Sequence, residues 1–190
     1  RHIDKIGIFE GNIYTAFGKA LHEAIEKDLV SENAGNVPKM EENFKYFFKK
    51  ELQSLPEGEK KQILSNFDVK EWLNQGNDIV KEVFSALVSE FGPYGERWEV
   101  LAAEEQLYEE IEGSKKKFKG FIDLVMFNHA DQKVYIIDWK TTSWGWDSRK
   151  KSNSTLAYQL AFYKYFYGKK YDIELKDMET YFVLLKRTAK

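Results

Sequence analysis

The sequence contains no cysteine in 190 residues. That absence excludes a disulfide framework, a thiolate zinc site, an iron–sulfur cluster and a cysteine nucleophile together. Histidine is nearly as scarce, with three in all, which leaves little room for a His-rich metal cage. No apolar run approaches the roughly 18 residues needed to cross a bilayer, and the N-terminus lacks the basic-then-apolar order of a signal peptide. An intracellular, cytoplasmic protein without membrane contact is therefore expected. What is abundant is apolar and aromatic mass, 43% and 16% of the residues. That suits one globular domain over residues 1–190, able to bury a core without covalent staples.

The formal net charge of -2 conceals an asymmetry. Residues 1–110 carry 13 Lys and Arg against 22 Asp and Glu, whereas residues 111–190 carry 16 against 9. The basic C-terminal half either suits a polyanion, because neutralising phosphates releases counterions, or consists of ordinary solvated lysines on a mixed surface.

Periodicity divides the chain in the same region. From Asn12 to about Val30, Ile13, Phe17, Ala20, Leu21, Ala24, Ile25 and Leu29 recur at helical spacing. Pro38 can open a second helix carrying Phe44, Phe47, Phe48 and Leu52, which stops before Pro56. A short helix follows. Asp68 and Glu71 have the spacing of a capping box for a longer helix that ends at Gly92-Pro93. Beyond Pro93, β-branched and aromatic residues gather into short runs between turn residues. Strands are predicted over 98–111, 117–127 and 133–141, then a helix over 154–167 and a last strand over 178–186. Residues 1–95 are thus mainly helical and 96–190 form a β-β-β-α-β unit.

Two carboxylates interrupt apolar strands. In VYIIDWKTT, Asp138 and Lys140 are two residues apart and share a face. In KGFIDLVMF, Asp123 is flanked by large apolar residues. A hairpin closed symmetrically about 129–132 pairs Asn128 with Lys133 and sets Asp123 opposite Asp138, with Cβ atoms about 4.5–5.5 Å apart. Two like charges there repel and each loses hydration, so a cation must answer for them. A hard ion such as Mg²⁺ or Mn²⁺ suits clustered carboxylate oxygens; the other reading is a same-face Asp138–Lys140 ion pair. In FGKALHEAIE, Gly18 and His22 share a helix face, where Gly18 permits close approach and His22 is either a metal ligand or a satisfied helix residue. In TLAYQLAFYKYF, Gln159 and Tyr163 also stand four apart, either serving a site or as polar tips of an amphipathic helix.

In this order, FGKALHEAIE, AAEEQL, GFID, IIDWKTT and YQLAFY resemble the PD-(D/E)XK nuclease superfamily, and more closely its RecB-like branch. The resemblance implies an α/β, restriction-endonuclease-like core, a mixed central sheet flanked by helices, with a helical N-terminal half. It implies that His22, Asp123, Asp138 and the Trp139 backbone carbonyl hold one or two Mg²⁺ or Mn²⁺ ions, with Lys140 as the family lysine. Glu104 is the expected extra acidic residue of the first core strand, with Glu105 one position away. Gln159 and Tyr163 are expected to position DNA or support the site. GFID stands where other members have a literal Pro-Asp.

The implied activity is a metal-dependent deoxyribonuclease, in first place an exonuclease on single-stranded or end-bearing DNA in replication, repair or recombination. Without cysteine it resembles the cluster-free members of phage, bacterial or organellar type. A structure-specific or restriction-like endonuclease and a catalytically inactive DNA-binding subunit are the alternatives. Trp144 and Trp146, followed by Arg149, Lys150 and Lys151, form either a stacking and phosphate platform for a single strand or a hydrophobic loop anchor. Nothing in the sequence marks an oligomeric state.

Overall fold

The computed structural model describes residues 11–151 and 153–188, without the side chains of Arg149 and Lys151. Helix α1 (Ile13–Leu29) begins at a reciprocal cap. The Asn12 side chain accepts from the amides of Tyr14 and Thr15, and the Thr15 hydroxyl accepts from the Asn12 N–H at 2.8 Å. Its apolar stripe of Phe17, Ala20, Leu21, Ala24 and Ile25 is buried. Helix α2 (Val37–Ser54) carries Pro38 in its first turn, and α3 (Glu57–Asn66) follows Pro56. Helix α4 (Val69–Phe91) starts where Asp68 accepts from the amides of Lys70 and Glu71, and it ends at Gly92, whose φ is 90°. Helices α2 and α4 meet closely because Gly76 has no side chain: a Cβ there would lie 2.0 Å from the Phe44 ring.

The remainder is β1 (Trp98–Glu110), β2 (Lys117–Asn128), β3 (Lys133–Thr142), the single turn α5 (Ser148–Lys151), α6 (Ser154–Tyr171) and β4 (Met178–Lys186). The sheet order is β1-β2-β3-β4, antiparallel through β3, with β4 parallel to β3 after the α6 crossover. This is the expected mixed sheet flanked by helices, with strand ends within a residue of those read from the pattern. Trp98, Leu124, Met126, Tyr135, Ile137 and Trp139 pack on the N-terminal helices. Leu107, Ile122, Val125 and Ile136 pack on Leu160, Tyr163 and Phe166 of α6. The sheet is the middle of three layers.

Two elements depart from expectation. Helix α6 does not stop at residue 167 but runs on through Gly168, where a Cβ would meet the Ile173 carbonyl oxygen at 2.8 Å. That glycine serves close packing; the helix ends instead at Asp172, in the left-handed region with φ 55°. The turn α5 lies in a stretch without apolar periodicity, so no pattern announces it.

Past β4, the Arg187 amide donates to the Thr142 carbonyl oxygen at 2.8 Å. Its guanidinium lies 3.9 Å from the Trp72 ring centroid and donates to Ser143 Oγ at 2.8 Å. The last strand is thereby strapped to α4. Among the described residues, no helix is long and apolar enough to cross a membrane.

Candidate active site

The hairpin pairs Asn128 with Lys133 and continues to Leu124 opposite Ile137, the register deduced by counting from its loop. Ladder pairing stops there, one residue short of Asp123 on β2 and of Asp138 on β3. The Trp139 amide donates to Asp123 Oδ2 at 2.7 Å. Side-chain alternation also breaks here. Ile122 and Val125 both pack toward α6, while Leu124 faces the N-terminal helices. On β1, Ala103 and Glu104 both line a depression of about 500 Å³ with Glu23 and Glu26 of α1. Glu104 achieves this with φ at 50°, a conformation that costs a side-chain-bearing residue about 1–2 kcal/mol. Paired irregularities of this kind re-aim side chains next to sites.

Helix α1 supplies the other side. Gly18 sets the approach, since a Cβ there would lie 3.0 Å from Thr141 Oγ1 of β3. One turn on, His22 Nδ1 lies 3.5 Å from Asp123 Oδ1. One further turn brings Glu26, and ligand atoms of His22, Glu26 and Asp123 all lie within 4.8 Å of one another. Burial, with Asp123 and then Glu104 adding repulsion against the relief from His22, pushes the Glu26 carboxyl up to about 7. Lys27 and Lys50 line the same depression as Glu23, Glu26 and Glu104.

Asp138 has a different environment. Its side chain is 2% exposed; Lys140 Nζ lies 2.5 Å from Oδ2, and Gln159 Nε2 donates to Oδ1 at 2.9 Å. Burial raises its carboxyl from the ordinary value, Lys140 opposes that, and Asp123 adds to it. Gln159 Nε2 also donates to the Tyr163 hydroxyl at 3.0 Å. Tyr163 fits because residue 120 is glycine: a Cβ there would lie 2.7 Å from the Tyr163 ring.

Of the residues singled out in the sequence, the fold brings His22 to Asp123, Asp123 to the Trp139 amide, and Lys140, Gln159 and Tyr163 to the surroundings of Asp138. Trp139 stands between Asp138 and Lys140, with its N–H committed to Asp123 and its indole buried. Glu104 faces α1, whereas Glu105 faces α6 and is held by Lys170 Nζ at 2.6 Å and by the Tyr171 hydroxyl. Burial would raise the Glu105 carboxyl, but these two bonds outweigh it and hold it low. Glu26 was missed, although His22 and Glu26 stand four apart on one helix face, which is a readable signal. The role of Gly120 was likewise unread.

Trp144 is 75% exposed, whereas the Trp146 ring packs 4.9 Å from the Phe182 ring with Lys150 Nζ over it at 5.5 Å. The side chains of Arg149 and Lys151 lie outside the described residues. A larger depression of about 650 Å³ lies between α4 and β4. Trp139 lines it, but none of the carboxylates described above does.

A mixed sheet with acidic side chains at the irregular end of its central hairpin, a lysine beside them and helices on both faces defines a restriction-endonuclease-like fold. A family model described as the PD-(D/E)XK nuclease superfamily matches residues 3–190, and the chain belongs to that superfamily. A nucleic acid substrate and divalent-metal chemistry are what this membership brings. A search of curated proteins returns no match.

The side chains fit such an ion. Two carboxylates, Glu26 and Asp123, and the His22 imidazole converge within 4.8 Å, and the ammonium of Lys140 is engaged by Asp138. Oxygen donors with one nitrogen suit Mg²⁺ or Mn²⁺.

Proposed function

We propose that this protein is a deoxyribonuclease of the RecB-like branch, one domain over residues 1–190, acting as an exonuclease on single-stranded or end-bearing DNA in intracellular replication, repair or recombination. The observation that carries the reading is the convergence of His22, Glu26 and Asp123 within 4.8 Å, beside a buried Asp138 paired to Lys140.

His22, Glu26, Asp123, Asp138 and the Trp139 carbonyl would hold one or two Mg²⁺ or Mn²⁺ ions, with Glu104 close by. Such an ion would polarise the scissile phosphate and favour ionisation of a water. Lys140 holds a positive charge next to Asp138 and steadies the attacking water or the charge growing on the phosphate, most effectively where water is scarce. Gln159 fixes one Asp138 oxygen and shares its amide with Tyr163, so α6 sets the orientation of the carboxylate. Trp144 would stack on a departing strand, and the basic residues Arg149, Lys150 and Lys151 that follow in sequence would neutralise its phosphates. Trp146 supports that loop from below.

The test uses end-labelled single- and double-stranded DNA, linear and circular, with Mg²⁺, Mn²⁺ or EDTA. Stepwise shortening of linear substrates, intact circles and silence in EDTA are expected. Cut circles would replace the exonuclease by a structure-specific or restriction-like endonuclease. DNA binding without products under any metal would leave an inactive binding subunit.

A further inference from the structure

Beyond the row of Glu104 and Asp123, the β1–β2 hairpin continues with three regular rows: Gln106 opposite Phe121, Tyr108 opposite Lys119, and Glu110 opposite Lys117. These residues share the face on which Glu104 and Asp123 turn toward α1. Phe121 is 41% exposed and Tyr108 58% exposed, although two apolar cores of the same fold could shelter rings. Each ring has an ammonium beside it: Lys119 Nζ lies 5.5 Å from the Phe121 centroid, and Lys117 Nζ 5.1 Å from that of Tyr108. Lys115 and Lys116, both exposed, extend the basic run to the hairpin tip. Glu110 is the opposing charge on these rows, 3.8 Å from Lys117.

We propose that this face is a track for single-stranded DNA leading out from the cleavage centre, a reading that rests on the nuclease function proposed above. Successive same-face residues of a strand stand about 7 Å apart, so the track begins about 7 Å from Asp123 and reaches Lys117 at about 20 Å. Alternating rings and cations suit a chain that alternates bases and phosphates: the bases stack on Phe121 and Tyr108, and Lys117 and Lys119 swing from the rings to the phosphates. Paired bases in a duplex have both faces covered by their neighbours. An unpaired strand offers them, so the rings select single strands while the lysines act on either form.

The test measures binding of fluorescent oligothymidylate and of a blunt duplex of equal length, with Mg²⁺, in an Asp138→Asn background that blocks cleavage. Tyr108→Leu with Phe121→Leu keeps apolar bulk at exposed positions but removes the planar faces. It should weaken single-strand binding about tenfold or more, leave duplex binding close to unchanged and leave the salt dependence unaltered. Lys117→Ala with Lys119→Ala should weaken both forms and flatten the salt slope by somewhat less than two. Melting curves establish that each variant is folded. Unchanged affinity in the ring variant, or equal loss for single strand and duplex, overturns the track while the nuclease reading stands, provided the unsubstituted protein still cleaves. Failure of the unsubstituted protein to bind or cut DNA removes both. With active-site residues intact, cleavage of an oligonucleotide too short to reach Phe121 should be the same in the ring variant and the unsubstituted protein.

Discussion

The two sides of the centre solve the same problem in opposite ways. On the α6 side, Asp138 is almost wholly buried, yet Lys140 and Gln159 between them reach both of its oxygens. On the α1 side, ligand atoms of His22, Glu26 and Asp123 lie within 4.8 Å of one another, and burial with repulsion from Asp123 and Glu104 pushes Glu26 up to about 7 against the relief from His22. The first side is preorganised by the chain itself. The second brings a raised carboxyl beside His22 and Asp123 and is where the proposed ion would sit, whereas α6 positions the Asp138 carboxylate.

The largest expected effect comes from breaking the self-sufficient side. Asp138→Ala should lower Mg²⁺-dependent cleavage at least about 10²–10³-fold, as removal of a group acting on the transition state does. Thermal unfolding should show the fold intact, because the Lys140 ammonium left behind is partly exposed and regains hydration. Full residual activity would remove the proposed centre.

The α1 side is probed by pH. Glu26 has its carboxyl raised above the ordinary 4.5, so the folded protein binds more protons than the unfolded chain between about 4.5 and 7. Stability contributed by the protonated form is present below that window and lost as pH rises through about 7. Glu26→Gln should therefore stabilise the metal-free protein at pH 8, by up to about 3 kcal/mol, and make no such difference at pH 4. Saturating Mg²⁺ should raise the melting temperature of the parent protein more at pH 8 than at pH 5, and this dependence should shrink in Glu26→Gln. Equal shifts at both pH values would exclude Glu26 from the ion's surroundings.

A smaller effect sharpens the positioning role of α6. Gly120→Ala places a methyl 2.7 Å from the Tyr163 ring, and overpacking of this sort costs about 1–3 kcal/mol. Because Tyr163 carries Gln159, which holds Asp138, turnover should fall as well as the melting temperature. Smallest is Glu105→Gln, which weakens the Lys170 and Tyr171 bonds at a partly exposed site. It should cost about 1 kcal/mol or less in stability with turnover unchanged, whereas Glu104→Gln should lower turnover with stability unchanged or improved.

That neighbouring pair also shows what the sequence can and cannot reveal. The register as far as Leu124 opposite Ile137 was legible because it is a matter of counting from a symmetric loop, and strand and helix types followed from periodicity; the ladder ends before the expected Asp123–Asp138 pair, and Asp123 meets His22 of α1 while Asp138 meets Gln159 of α6. The choice between Glu104 and Glu105 was not legible: it depends on a left-handed residue that reverses which face each side chain meets, and no local pattern encodes it. Glu26 was readable from its spacing to His22 but does not interrupt an apolar run as Asp123 and Asp138 do. The helix expected over 154–167 runs on because Gly168, a residue type that can end a helix, here serves as a space-maker. Only the proximity of the Ile173 carbonyl oxygen distinguishes the two.

The strap formed by Arg187 has a consequence for biosynthesis. Its guanidinium joins Trp72 and Ser143, groups separated by much of the chain, and β3 gains its second neighbour only when β4 is laid beside it. The helix that bears His22 and Glu26 can pack on its neighbours as the chain emerges, but the strand carrying Asp138 stays open along one edge until residues 178–186 follow it. Docking of β4 is therefore the step that closes the sheet around Asp138.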